Sequence, residues 1–443
     1  MSLRARLLAL AAAAPCLVFG QSAQTPPPQP APSLTITLAD AISRAHQYGT
    51  QVQSAALNTA LAAEDTRQAR ANRLPTLNAL NQYIYTQGDR TPSGVFVAND
   101  GVHVYNEQAV VHQELLNAIR KGEVNRALAA EAVAKARADL AARSLDFTVI
   151  QDYYAIVSAQ RKAVNVQTAL DEARHFLDIT EKQESGGEVA RADVVKARIS
   201  LQQSERALQD AQLAIEKARI ALGVLIFPDF RSDYAVEDDI AKPLVLQPYP
   251  EAEAKAKATS PDLHAAQAVV QQAGYETNIA RYAWVPSLGL DFFYGLDSNR
   301  IAIDTTLADG FVRRNLGYSG QITLNIPVWN WGATRSKIKQ AEIHEQQAKL
   351  DLSLTQRELA GNLASFYKEA QTAQAQLDSL RATTDLAIES LRLTLLRYEA
   401  GEATALEVVD AQTTEIQARN AQEDGLVRYR VALANLQTLT GNQ

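Results

Sequence analysis

The chain runs to 443 residues, with a formal net charge of −7 and aromatic residues at only 6%. That length suggests two or three domains, and the acidic balance argues against nucleic acid as a partner. Long stretches dominated by alanine, glutamine and leucine favour extended helices packed through small residues over a bulky globular core.

Residues 1–23 read as a secretory signal peptide. Arg4 and Arg6 precede an apolar run over 7–18 that is too short for a permanent membrane span, and small residues follow around Gly20 and Ala23. Lipid attachment at Cys16 is a competing reading, disfavoured by Pro15 directly before it. With cleavage near Gly20 or Ala23 the exported chain holds no cysteine, and so neither a disulfide nor a thiol ligand. The proline-rich stretch 24–34 is a disordered or extended leader.

A first repeat is expected over 35–223. Thr37 and Asp40 are spaced as the N-cap and N3 residues of a helix over 37–72, which ends before Pro75. Strand chemistry follows at 77–86, around Tyr83, Ile84 and Tyr85, then a loop over 88–101 and a second strand over 104–115. After Asn117 the pattern is helical to 184, about 100 Å at 1.5 Å per residue. Gly187 breaks it, and a further helix is expected over 189–222.

A connector rich in proline, aspartate and glutamate spans 224–249, and a second repeat, 250–443, restarts the programme. Ala280-Arg281-Tyr282-Ala283-Trp284-Val285-Pro286-Ser287-Leu288 lies over Ala69-Arg70-Ala71-Asn72-Arg73-Leu74-Pro75-Thr76-Leu77 at an offset of 211 (286 − 75). Strands at 288–296 and 318–328, separated by a loop over 297–317, lead to a long helix over 331–399, a break at Gly401 and a closing helix to 439. The break Gly401-Glu402, with Val408-Val409 behind it, copies Gly187-Glu188 with Val194-Val195 at an offset of 214 (401 − 187). Register held across a strand pair, a long helix and its tip indicates tandem duplication.

The third and fourth strands carry a clear period of two. Leu288, Leu290, Phe292, Tyr294 and Leu296 alternate with Gly289, Asp291, Phe293 and Gly295; Tyr318, Ile322, Leu324, Ile326 and Val328 alternate with Ser319, Gln321, Thr323 and Asn325. An apolar and a mostly polar face on strands of about ten residues suit a transmembrane barrel with lipid outside and water inside. A half-buried soluble hairpin has the same alternation. Four strands cannot close a barrel, which takes about eight, so insertion would require oligomerisation. In the helices, Val194, Leu201, Leu208, Ile215 and Leu222 recur every seven residues, with Ala197, Ser204, Ala211 and Ala218 interleaved and Ala411, Ala418, Gly425 and Ala432 repeating the small set. Such heptads favour close coiled-coil packing, in a filament or in a tube.

In combination, Ala280-Arg281 through Val285-Pro286-Ser287-Leu288, the entry Pro327-Val328-Trp329-Asn330-Trp331-Gly332 and the paired glycine tips resemble the TolC-type outer-membrane efflux protein family from about residue 35 to 439. The resemblance implies an α+β membrane protein in which a long α-helical coiled-coil barrel, extending into the periplasm, joins a transmembrane antiparallel β-barrel shared between protomers. It implies a homotrimer in the cell outer membrane and its lipid, contacted by a periplasmic adaptor protein and an inner-membrane pump. It further implies a gate at Glu407, Asp410 and Tyr398, and adaptor-docking tips at Gly187, Asp193, Val194, Val195, Gly401, Val408 and Val409. Ala403 replaces a basic latch residue of the family. Glu407 also suits simple complementation of a helix N-terminus, whereas Asp410, nearly a turn further in, is better placed for the lumen.

No enzyme is expected: the six histidines His46, His103, His112, His175, His264 and His344 show no close pairing, and no phosphate loop or nucleophile motif occurs. No cofactor, metal site or nucleic-acid partner is expected either. The remaining rival is a periplasmic coiled-coil adaptor or scaffold, for which one hairpin would be expected rather than two, each fed by a strand pair.

Overall fold

The computed structural model describes residues 34–85, 103–229, 233–240, 245–307 and 309–440. The expected signal peptide with Cys16, the leader before residue 34 and the loop over 88–101 lie outside them. The chain opens with β1 (Leu34–Ile36) and α1 (Leu38–Tyr48). Here the capping box forms: Thr37 Oγ1 accepts from the Asp40 N–H at 3.2 Å, and the Asp40 carboxylate accepts from the Thr37 N–H at 3.3 Å. The helix expected over 37–72 is two helices, α1 and α2 (Thr50–Ala71), because Gly49 adopts an extended conformation between them.

β2 (Thr76–Tyr85), β3 (His103–Leu116), α3 (Ala118–Ser185) and α4 (Arg191–Ile226) complete the first half. Asn117 caps α3 by accepting from the Ile119 and Arg120 N–H groups at 3.0 and 3.3 Å. The connector, expected to be irregular, contributes β4 (Tyr234–Val236), which pairs in parallel with β1. Then come α5 (Tyr249–Thr259), α6 (Pro261–Tyr282), β5 (Ser287–Ser298), the short hairpin β6 (Asp304–Thr306) and β7 (Val312–Arg314), β8 (Leu316–Asn325), α7 (Ala333–Glu399) and α8 (Ala405–Thr440). The β6–β7 hairpin occupies what reads in sequence as loop. β8 stops at Asn325 instead of 328, since Pro327 has no N–H to give to a ladder.

Four strands form one antiparallel sheet in the order β2-β3-β5-β8. Its register assigns the faces. Leu77, Val111 and Phe292 align on one face, as do Ala79, Ala109, Tyr294 and Tyr318, with Tyr83 and Tyr105 further along. Asn81 and Glu107 interrupt this apolar face. The opposite face holds His112 bonded to Asp291 at 2.6 Å and Asn106 donating to Gln82 at 3.2 Å. Tyr294, Tyr318 and Ile322 are 51%, 79% and 69% exposed, so the apolar face has no cover among the described residues. No helix among the described residues is long and apolar enough to cross a membrane.

The helices form a bundle of rods below the sheet. α3 packs against α2, α4, α6 and α8, and α7 against α6 and α8. One core gathers Ile36, Ala41, Val149, Tyr153, Leu222 and Ile226 around the β1–β4 pair, and a second joins α5, α7 and α8 through Ala256, Leu363, Ala370 and Leu433. Arg430 holds the connector onto α8, its guanidinium donating to Asp239 O at 2.8 Å and Ile240 O at 3.0 Å.

Candidate gate and docking tips

The α3–α4 and α7–α8 hairpins end in the same turn. Gly187 and Gly401 take φ +77° and +78°, a left-handed conformation that costs other residues about 1–2 kcal/mol. Each glycine N–H donates three residues back, to Glu184 O at 2.9 Å and Tyr398 O at 3.0 Å. The next N–H donates five residues back, from Glu188 to Gln183 O at 2.9 Å and from Glu402 to Arg397 O at 2.8 Å. Both tips are therefore closed by Schellman motifs, which satisfy the last carbonyls of the incoming helix.

The tips differ in how the outgoing helix starts. Ala190 begins α4 with no side-chain cap. At α8, the Glu407 N–H donates to Thr404 Oγ1 at 3.3 Å while Glu407 Oε1 accepts from the Thr404 N–H at 3.1 Å. Glu407 Oε2 also lies 3.6 Å from Arg397 Nη1, and Arg397 Nη2 donates to Glu402 O at 3.1 Å. A basic residue thus stands at this tip even though position 403 is alanine. Glu407 is held locally, whereas Asp410 is exposed and makes no side-chain hydrogen bond or ion pair among the described residues.

Tyr398 of α7 packs against α3 where the two hairpins meet. It is 3% exposed, its ring stands edge-on to Phe176 of α3 at 5.2 Å, and its hydroxyl lies 3.3 Å from Thr180 Oγ1. Burial pushes the hydroxyl above the ordinary tyrosine range, so the phenol stays neutral. Ala197, Ala405 and Val408 complete this small core. Phe176→Ala should remove about 3–5 kcal/mol of packing. Faster amide exchange at the ends of α3 and α7, with the cores further up unchanged, is the expected readout.

Of the residues expected to dock a partner, Val194 and Val408 are 1% and 0% exposed and face inward, where the heptad puts Val194. Val195 is 48% exposed, Asp193 and Val409 are half-buried, and Gly187 and Gly401 lie at the surface. The sequence did not reveal Phe176, Thr180 or Arg397. Thr180 and Tyr398 are 218 residues apart, and no spacing within one helix marks a contact between two.

A sequence profile described as outer membrane efflux protein matches residues 254–442. The Outer membrane protein OprJ of Pseudomonas aeruginosa is 24% identical over 380 residues, 84% of this chain and 76% of that protein. The Campylobacter jejuni CmeC outer membrane channel superposes with a TM-score of 0.80 at 17% identity, covering 91% of this chain and 85% of its own. The second half of the chain thus matches the outer membrane efflux protein family, and the fold is the one seen in the CmeC channel. The chain is also 24% identical to the Cobalt-zinc-cadmium resistance protein CzcC of Cupriavidus metallidurans, over 68% of this chain and 67% of that protein. The profile match falls in the second half of the chain, while the fold likeness extends over nearly all of it.

Proposed function

We propose that the chain is the outer-membrane channel of a tripartite efflux or secretion system, a passive trimeric conduit from periplasm to exterior with a gated periplasmic entrance. The observation that carries this reading is the sheet. It is two-faced, its apolar face is uncovered, and its outer strands β2 and β8 have no further neighbour among the described residues. Open edges cannot face lipid. Three copies with four strands each would supply twelve, edge β8 meeting edge β2 of the next copy.

The helices favour the same ring. α4 carries a second, exposed stripe at Val195, Ile199, Leu213, Ile220 and Val224, and α7 carries one at Ile343, Leu350, Leu354, Leu386 and Leu393. Their spacings of four, seven and fourteen residues, and of 32 (386 − 354), four heptads plus four, are those of coiled-coil seams lacking a partner. Each α7 would pack on α4 of the next protomer, closing a helical barrel below the β-barrel.

Tandem duplication is supported by matched details. The bends at Gly49 and Ser260 lie 211 residues apart (260 − 49). Thr66 and Lys135 both bond Glu131, as Thr277 and Lys349 both bond Glu345. We accordingly divide the chain into repeats over 35–223 and 250–443 with the connector between them. The exposed tip surfaces at Gly187, Asp193, Val195, Gly401 and Val409 would receive a periplasmic adaptor carrying an inner-membrane pump. Val194 and Val408 would support that surface from beneath. In a conduit of this kind the pump, not the channel wall, selects cargo.

Purified protein in planar lipid bilayers tests the reading. Discrete conductance steps from a species with the mass of three chains are expected, and recovery of a folded monomer from the soluble periplasm without detergent would end it. Asp410, exposed and unpartnered, would face the entrance. Removing one carboxylate per protomer with Asp410→Ala is expected to raise conductance about two- to tenfold and weaken block by divalent cations. Unchanged conductance would remove Asp410 from the gate.

A further inference from the structure

The two hairpins meet along α3 and α8, and this seam differs chemically from the interfaces inside each hairpin. Where α4 packs on α3, the heptad positions Val194 and Leu222 are apolar and buried. Across the seam, Arg161 binds Glu423 at 3.2 Å, Lys162 binds Asp424 at 2.5 Å and Asn165 donates to Asn420 at 3.5 Å. Between these rungs and the Phe176–Tyr398 core lies a layer made by Glu172 of α3 with Glu415 and Arg419 of α8, next to Gln412, whose Oε1 accepts from Ser200 Oγ of α4 at 3.4 Å.

This layer is incompletely bonded. Glu415 is 1% exposed and Gln412 7% exposed. Arg419 binds Glu415 Oε1. Oε2 of Glu415, Oε2 of Glu172 and Nε2 of Gln412 are buried without a partner among the described residues, so the two carboxylate oxygens, which can only accept, receive no N–H from the amide. Two carboxylates and one guanidinium also leave a surplus negative charge there. Both defects are costly in a low-dielectric interior, and one proton corrects both.

We propose that this layer is a proton-operated latch between the hairpins: a proton on Glu172 supplies the missing donor and cancels the surplus charge, and its loss loosens α3 from α8. Burial, then the charge of Glu415, pushes the Glu172 carboxyl up to about 7 against the pull of Arg419. On α3 itself Asp171, Arg174 and His175 are exposed. On α4 the residues lining the neighbouring 170 Å³ cavity are Ser200, Gln203, Ser204 and Ala207, all uncharged. On α7, Thr384 bonds Ala418 O, while Arg381 and Asp385 are exposed. A closed seam holds its proton up to about pH 7, whereas Glu172 freed into water releases it near its ordinary 4.5. The closed state is therefore favoured at acid pH, and its advantage declines from about pH 4.5 and is gone above about 7.

The chemistry of the latch stands independently of the conduit, but its effect on transport rests on that reading, so the test keeps the two apart. Infrared titration of the full-length protein in detergent is expected to show a protonated carboxyl band that disappears near pH 7 and is absent in Glu172→Gln. Amide exchange along 165–180 and 408–420, corrected for intrinsic rates, should accelerate about tenfold between pH 5.5 and 8 in the native chain and stay at its acid level in that variant. Glu415→Gln, which removes the neighbouring charge, should move the band to lower pH. A band that survives Glu172→Gln, or exchange that responds to pH equally in both chains, would overturn the latch. In bilayers, on an Asp410→Asn background that removes the exposed carboxylate expected at the entrance, conductance should follow the exchange. Exchange that responds while no conductance appears would refute the conduit and leave the latch standing.

Discussion

A side chain at position 295 is expected to abolish assembly of the sheet, reducing folded protein to a small fraction of the native yield. A Cβ on Gly295 would lie 2.1 Å from Glu107 O and 2.6 Å from Gln108 Cα. Both are backbone atoms of β3, so no rotamer change relieves the collision and the strands must separate. The cost belongs at or above the top of the about 1–3 kcal/mol range for overpacked interiors. Position matters as much as magnitude, because β3–β5 is the one pairing that joins the first strand pair to the second. Gly289 supplies the control. It lies on the same strand and face, and its Cβ would meet only His112 Cε1 at 3.6 Å, an ordinary contact. Gly295→Ala should lose the heat-modifiable band of folded protein in detergent gels, while Gly289→Ala keeps it. Equal yields from the two variants would mean that β3 and β5 do not pair in this register.

Much of this architecture was legible because it is written in local chemistry. Thr37 with Asp40, Asn117, Gly187 and Gly401 each set a helix end through atoms within a few residues, and each does so in the structure. The strands at Thr76–Tyr85 and Ser287–Ser298 begin directly after the prolines that stop the preceding helices. What escaped was long-range. β1 and β4 are three residues each and pair across 200 positions, Ile36 with Val236, so neither has a detectable pattern of its own. The bend at Gly49 interrupts a helical pattern whose apolar spacing continues on both sides. At the tips, the heptad containing Val194 already pointed that side chain into the hairpin, and there it is buried. Glu172 and Glu415 look like two ordinary solvated acids in long charged helices. Only the fold brings them together, so that the charge of Glu415 acts on Glu172.

Replacing Arg430 by methionine is expected to destabilise the protein by about 3–5 kcal/mol, the range for breaking one side of a buried charged interaction. Arg430 is 5% exposed, and its Nε and Nη2 donate to the carbonyls of Asp239 and Ile240 at 2.8 to 3.2 Å. Its guanidinium also lies 5.7 Å from the centre of the Tyr154 ring. Methionine fills a similar volume and restores much of the apolar contact, but leaves two buried carbonyls without their charged donor, at about 1–3 kcal/mol each. Lysine should recover part of the loss, since one ammonium can reach one carbonyl but cannot reproduce the fork. The damage should spread beyond the connector. Tyr153, on the neighbouring turn of α3, donates to Glu237 O at 2.6 Å, and Ile240 belongs to the core around β1 and β4. When the segment lifts, that core opens to water while the hairpin tips, with their separate cluster, stay packed. Denaturant unfolding with limited proteolysis checks this: cleavage should appear first within 233–250, ahead of the tips, with a lowered midpoint. An unchanged midpoint would mean that β1 and β4 alone hold the connector in place.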